Sequence, residues 1–199
     1  MPTKTKTKSK TKFQQLVTRI ESSNKKFQKA SKAAKIVMVA KDVLAILNAR
    51  RIKAVSGIYV DMGGIPYERT VGLKDMSELM KLPALPACSV CAIGAAMFAT
   101  TLRLDNVPIQ RETDYNMINA GADYTCQEGL NQSSNMSDRA RSVFPHELLR
   151  LMEAAFENSG YGYRQSTANG RLAAIYENLV KNKGKKFTDH KTGGVIWKQ

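Results

Sequence analysis

The sequence predicts a mainly α-helical domain built around one buried central helix, with a minor two-stranded β element and a disordered basic N-terminal arm. Three observations lead there. From Cys91 to Leu102 the chain is apolar on every side of a helical wheel, and a helix with no face suited to water must lie inside a protein. Three other stretches, around residues 34–47, 146–156 and 172–180, carry apolar stripes at helical spacing and so supply faces to pack against it. Residues 1–12 alternate lysine with threonine or serine, a pattern with nothing to bury.

The totals set bounds on this fold. A chain of 199 residues suits one domain plus a tail, and 43% hydrophobic with 24% charged residues is ordinary for a soluble protein. The longest apolar run is too short to span a bilayer, and the lysine-rich start has no apolar core of a secretory signal. An odd count of three cysteines, two of them only three positions apart, argues for reduced thiols and a cytoplasmic location. Net charge is +14, and residues 1–36 hold eleven basic residues against Glu21 alone, which is +10 of that total. The domain division that follows is a basic arm over 1–30 and a helical body over 31–199.

In order, Phe13, Leu16, Val17 and Ile20 predict a short amphipathic helix ending near Ser22. A longer helix over 31–48 presents Ile36, Val37, Ala40, Val43, Leu44 and Leu47 inward and Lys35, Lys41, Asp42 and Arg50 outward. Residues 56–61 read as a short strand, and 73–82 as a short helix before the proline segment. Gly94, inside the central helix, costs about 1 kcal/mol relative to alanine and so marks a close approach by another element. Residues 110–135 show little periodicity. Ser137 is a candidate cap for a turn through Val143, and Pro145 a candidate first residue of the next helix. Its stripe is Leu148, Leu149, Met152, Ala155 and Phe156. Thr167 caps a last helix with Leu172, Ile175, Tyr176, Leu179 and Val180 inward, which Gly184 ends. Residues 194–197 form a closing strand whose economical partner is residues 58–60.

Two constellations could carry chemistry. Cys88-x-x-Cys91 has the spacing of a redox pair or half a zinc site, but no second pair follows it. A zinc site would draw on Cys126 with His146 or His190, so no metal or other cofactor is expected and the thiols read first as small buried hydrophobes. Cys91 alone, at the first turn of a helix, is the candidate nucleophile of a cysteine hydrolase with His190 or His146 as base. The second constellation is basic. Lys4, Lys6, Lys8, Lys10, Lys12, Lys25, Lys26, Arg50 and Arg51 are candidate phosphate contacts for nucleic acid or another polyanion, without base readout.

The blocks Ala34-Lys35-Ile36-Val37-Met38-Val39-Ala40-Lys41-Asp42-Val43-Leu44 and Cys91-Ala92-Ile93-Gly94-Ala95 resemble a loose group of small bacteriophage and bacterial proteins without an established activity. The closing helices, Leu151-Met152-Glu153-Ala154-Ala155-Phe156-Glu157 and Arg171-Leu172-Ala173-Ala174-Ile175-Tyr176-Glu177-Asn178, resemble that group as well. The resemblance implies a phage-type accessory protein, at work in a host cytoplasm, and supplies no catalytic residues. The leading expectation is thus a non-enzymatic protein that binds nucleic acid non-specifically through its arm. The alternatives are the Cys91 hydrolase and an inhibitor directed at a host protein, with no membrane partner and no oligomeric state implied.

Overall fold

A computed structural model describes residues 11–61, 71–82, 85–104 and 135–199. The chain is mainly helical, with α1 (Lys12–Ser22), α2 (Asn24–Lys29), α3 (Lys32–Asn48), α4 (Met76–Lys81), α5 (Ala92–Arg103), α6 (Asn135–Val143), α7 (His146–Glu157) and α8 (Ala168–Lys181). Among the described residues five short strands accompany them: β1 (Ile52–Ala54), β2 (Val60–Asp61), β3 (Cys88–Val90), β4 (Lys186–Thr188) and β5 (Val195–Lys198).

Helix α5 is the central helix the sequence predicts, and every residue from Ala92 to Arg103 is buried. Helix α6 lies along it most extensively, with α3 and α7 on other sides. Helix α8 packs mainly on α3 and α7 and meets α5 at its first turn, where the Tyr176 hydroxyl donates to the Ala92 carbonyl at 2.6 Å. Gly94 faces the backbone of Tyr59 so closely that a Cβ there would sit 1.4 Å from its carbonyl oxygen. The close approach that glycine implies is therefore made by the segment entering β2.

The expected arm over 1–30 needs correcting. Lys4, Lys6, Lys8 and Lys10 lie outside the described residues, but Thr11 onward belongs to the body. Thr11 caps α1 by accepting from the Gln14 amide, and the Gln14 side chain accepts from the Thr11 amide in return. Phe13, Leu16, Val17, Ile20 and Phe27 are all buried. Five apolar side chains on two short helices outweigh the charge of their outer faces, because burial scales with apolar area and the lysines stay in water.

Charge misleads in a second place. The outward Asp42 of the predicted wheel is 3% exposed, and Arg103 of α5 donates to its carboxylate from Nε. The same guanidinium donates to Ser23 Oγ at 3.1 Å and lies 4.9 Å from the centre of the Phe27 ring, joining α5, α3 and the α1–α2 junction. The α3 stripe is accordingly turned toward Val39 and Ile46, with Val37, Leu44 and Leu47 half-buried.

The strand pairing also differs from expectation. The closing strand does not reach residues 58–60. Strand β3 lies between β1, in parallel, and β2, antiparallel, while β5 pairs with β4. The β4–β5 connection is a short turn in which Asp189 Oδ1 accepts from the amides of Lys191 and Thr192, so the strands close a small loop at small entropic cost. Its one-residue partners are Lys186 opposite Lys198 and Phe187 opposite Trp197. Ser137 is not a cap but a buried residue inside α6, and Pro145 is the cap of α7 rather than its first residue. Thr167 caps α8, accepting from the Gly170 amide at 3.0 Å.

Replacing Gly94 by alanine is expected to cost about 3 kcal/mol or more, since the Tyr59 backbone has to move. Gly193→Ala meets open space at a left-handed φ of 72° and should cost only about 1–2 kcal/mol. Urea denaturation of the two variants checks the contrast, and equal losses would contradict it.

Candidate functional site

The N-terminus of α5 is where the sequence places its candidate nucleophile. A helix start inside a protein presents amides that water cannot reach, so other groups must accept from them. Cys91 is the cap: its own amide donates to the Ile58 carbonyl at 2.7 Å, and its Sγ accepts from the Gly94 amide at 3.4 Å. Glu153 of α7, 3% exposed, accepts from the Ile93 amide through Oε2 at 3.1 Å. One turn along α7, Glu157 Oε1 accepts from the Gly57 amide at 3.0 Å. Thiol and carboxylates thus fasten α5, α7 and the segment before β2 to one another.

This environment suppresses the thiolate. Burial pushes the Cys91 thiol well up, and the neighbouring Glu153 carboxylate adds to the shift, outweighing the Gly94 N–H that favours the anion. Cys88 is pushed up to about 11, by burial first, with the Arg51 guanidinium acting against it. Neither histidine is placed to act as a base on Cys91. His146 is exposed at the first position of α7, seven residues before Glu153 and so about 10 Å away along the axis. His190 lies in the β4–β5 turn, its ring 4.9 Å from that of Tyr163 and its Nε2 3.0 Å from Gln165 Nε2. The groups that act on the Cys91 thiol are Glu153, Gly94 and Glu157.

Among the described residues, Cys91, Glu153 and Glu157 form one trio whose ligand atoms lie within 4.8 Å of one another. A cation there would sit against the positive end of α5 and displace the thiol proton, both unfavourable. Two of these groups are already engaged by the α5 amides and the third by the Gly57 amide. The trio is best described as an internal cap. Cys126 lies outside the described residues.

The predicted phosphate contacts divide. Lys12 lines a groove between α1 and the C-terminal part of α3 together with Arg19 and Asn48, and Arg50 is exposed just past that end. Lys25 and Lys26 are exposed on α2, at the opposite end of α3, which is about 25 Å long for its 17 residues. Arg51 is a correction: it is 6% exposed and its guanidinium donates to the carbonyls of Leu85, Met80 and Leu82. It also lies 5.0 Å from the centre of the Phe13 ring. Three carbonyls left over at the end of α4 and in the segment before β3 draw this side chain inward, away from any ligand.

Basic residues beyond the named phosphate contacts extend this surface. Lys29 and Lys32 are exposed on either side of the α2–α3 break. Lys181, Lys183, Lys185, Lys186 and Lys198, all exposed, surround a shallow cavity of about 420 Å³ where α8 turns into β4. The signal was available: residues 181–199 hold six lysines against Asp189 alone.

No protein-family model, curated protein or solved structure matches this chain. No helix among the described residues is long and apolar enough to cross a membrane.

At pH 8, Cys88 and Cys91 are expected to react with iodoacetamide at under about a hundredth of the rate of free cysteine, since a thiol at 11 is only about a thousandth ionised there. Peptide mapping by mass spectrometry reads each site, and a rapid Cys91 would contradict the internal cap. The same shifts carry a sign for stability. Below the unfolded thiol value, about 8.5, both states keep their protons and the contribution is complete. Above it the unfolded chain releases protons that the folded chain holds, so stability should fall between pH 8.5 and 11, by roughly 3 kcal/mol from Cys88 alone, read as a falling urea midpoint.

Proposed function

We propose that this protein is a non-enzymatic binding protein that holds nucleic acid non-specifically through phosphate contacts. The observation that carries the reading is the placement of Lys25, Lys26, Lys29 and Lys32. All four are exposed on helices whose other faces are anchored by Phe27 and Ile36, which are 1% and 0% exposed. Charges fixed on a scaffold meet a polyanion without first being ordered, and each neutralised phosphate releases a counterion. Lys4, Lys6, Lys8 and Lys10 precede these residues in the sequence and raise the positive charge available to a polyanion. Lysine offers a point charge rather than a planar fork, which suits phosphate contacts that carry no sequence information. A protonated, enclosed thiol beside a carboxylate supports no competing hydrolase reading.

Titration of a 20-base-pair duplex across salt tests this. The full chain should bind with a steep fall in affinity as salt rises. Removing residues 1–10 should lower the slope of log K against log salt by up to about 4, and glutamine at positions 25, 26, 29 and 32 by about 3–4. The truncation stops at residue 10 because Phe13, Leu16, Val17, Ile20 and Phe27 belong to the core. Absence of binding at 50 mM salt, or a slope unmoved by both changes, would overturn the proposal.

A further inference from the structure

We infer that the lysine ring at the α8–β4–β5 corner is a phosphate-binding site, and that it seats the backbone of double-stranded nucleic acid jointly with Lys29 and Lys32. The inference rests on the nucleic-acid reading above and names its partner more narrowly. Lys181 closes α8, and Asn182 is its cap. Lys183 and Gly184 then both take left-handed backbone, φ 55° and 67°, which folds the chain sharply into β4. Gly184 lies against the first turn of α3: a Cβ at that position would be 2.3 Å from the Ala33 carbonyl oxygen. Lys183 and Lys185 flank Gly184, while Lys32 precedes Ala33 and Lys29 lies four residues before it. The antiparallel packing of α3 and α8 therefore joins basic residues some 150 positions apart into one surface.

The ring is built with like charges facing. Lys186 and Lys198 are direct cross-strand partners, a pairing that destabilises a two-stranded sheet when the charges match. None of the five ring lysines takes part in an ion pair among the described residues, and the sixth lining residue is Asn182. A surface that spends stability to bring five lysines together, none of them in an ion pair among the described residues, is suited to an anion supplied from outside.

The aromatic residues select the duplex. Single strands are held by bases stacked on exposed rings as well as by charge. Around this surface Phe27, Phe187 and Trp197 are 1%, 0% and 6% exposed, all turned into the core. Among the described residues the cavity is lined by five lysines and Asn182 with no aromatic ring, which fits the outer rails of a duplex.

The test uses the full chain, a 20-base-pair DNA duplex and single-stranded oligothymidylate of equal length. Lys183→Gln, Lys185→Gln, Lys186→Gln and Lys198→Gln combined should weaken duplex binding at least ~30-fold at 0.1 M salt and reduce the salt slope by about 3–4. Lys74→Gln with Arg150→Gln, outside this surface, should leave both unchanged. Lys198→Glu separates binding from folding. It replaces a like pair with an opposite one, so it should raise the melting temperature by about 1–4 °C while weakening the duplex complex. Duplex binding by the wild type with no change in the ring variant overturns the inference and leaves the general reading standing. Failure of the wild type to bind either probe overturns both. Oligothymidylate bound as tightly as duplex overturns the choice of partner.

Discussion

Everything in this fold follows from the decision to bury α5 on all sides. A helix with one wet face leaves its terminal amides to water; this one cannot. Its start is closed by Cys91 Sγ, by Glu153 from α7 and by the Ile58 carbonyl, which takes the Cys91 amide. Three separate segments must therefore arrive together before the helix is satisfied. At its other end Arg103, also buried, pairs with Asp42 and reaches the α1–α2 junction. For Asp42, burial outweighs the pairing and raises the carboxyl, so the pair does more to fix how α3 meets α5 than to stabilise the fold.

That constraint explains why the most reactive-looking part of the sequence is chemically quiet. A cysteine at a helix start gains nucleophilicity when the helix end is the strongest field acting on it. Here a carboxylate has been brought to the same place, and water has been excluded. The thiol keeps its proton and serves as a cap. The lysine ammonium groups stay on the periphery, where α3 and α8 run antiparallel.

Much of this was legible in the residues. Helices α1, α3, α5, α7 and α8 follow from apolar spacing within one segment, and the Thr167 cap from a local hydroxyl. Gly94 announced a close approach, although not that Tyr59 would make it. The errors share a cause. Asp42 and Arg51 were weighed as charges and so placed in water, yet each is buried against a partner 29 to 61 residues away, as Arg103 and Glu153 also are. The pairing of β5 was assigned by economy among the strands visible in sequence, and three-residue strands such as β1, β3 and β4 are too short to show a period. The C-terminal lysines were hidden by averaging. The 163 residues after position 36 carry +4 in all, but residues 181–199 alone carry +5.

The sequence by itself determined the helices, the identity of the buried one and the surplus of positive charge, because periodicity and composition act through residues close in the chain. Only the tertiary structure decided what Cys91 is and where the charge gathers. A thiol's ionisation depends on the dielectric and on the carboxylate that another helix brings beside it. A basic surface exists only when the packing of α3 on α8 sets Ala33 against Gly184 and brings the lysines of two distant segments to one side.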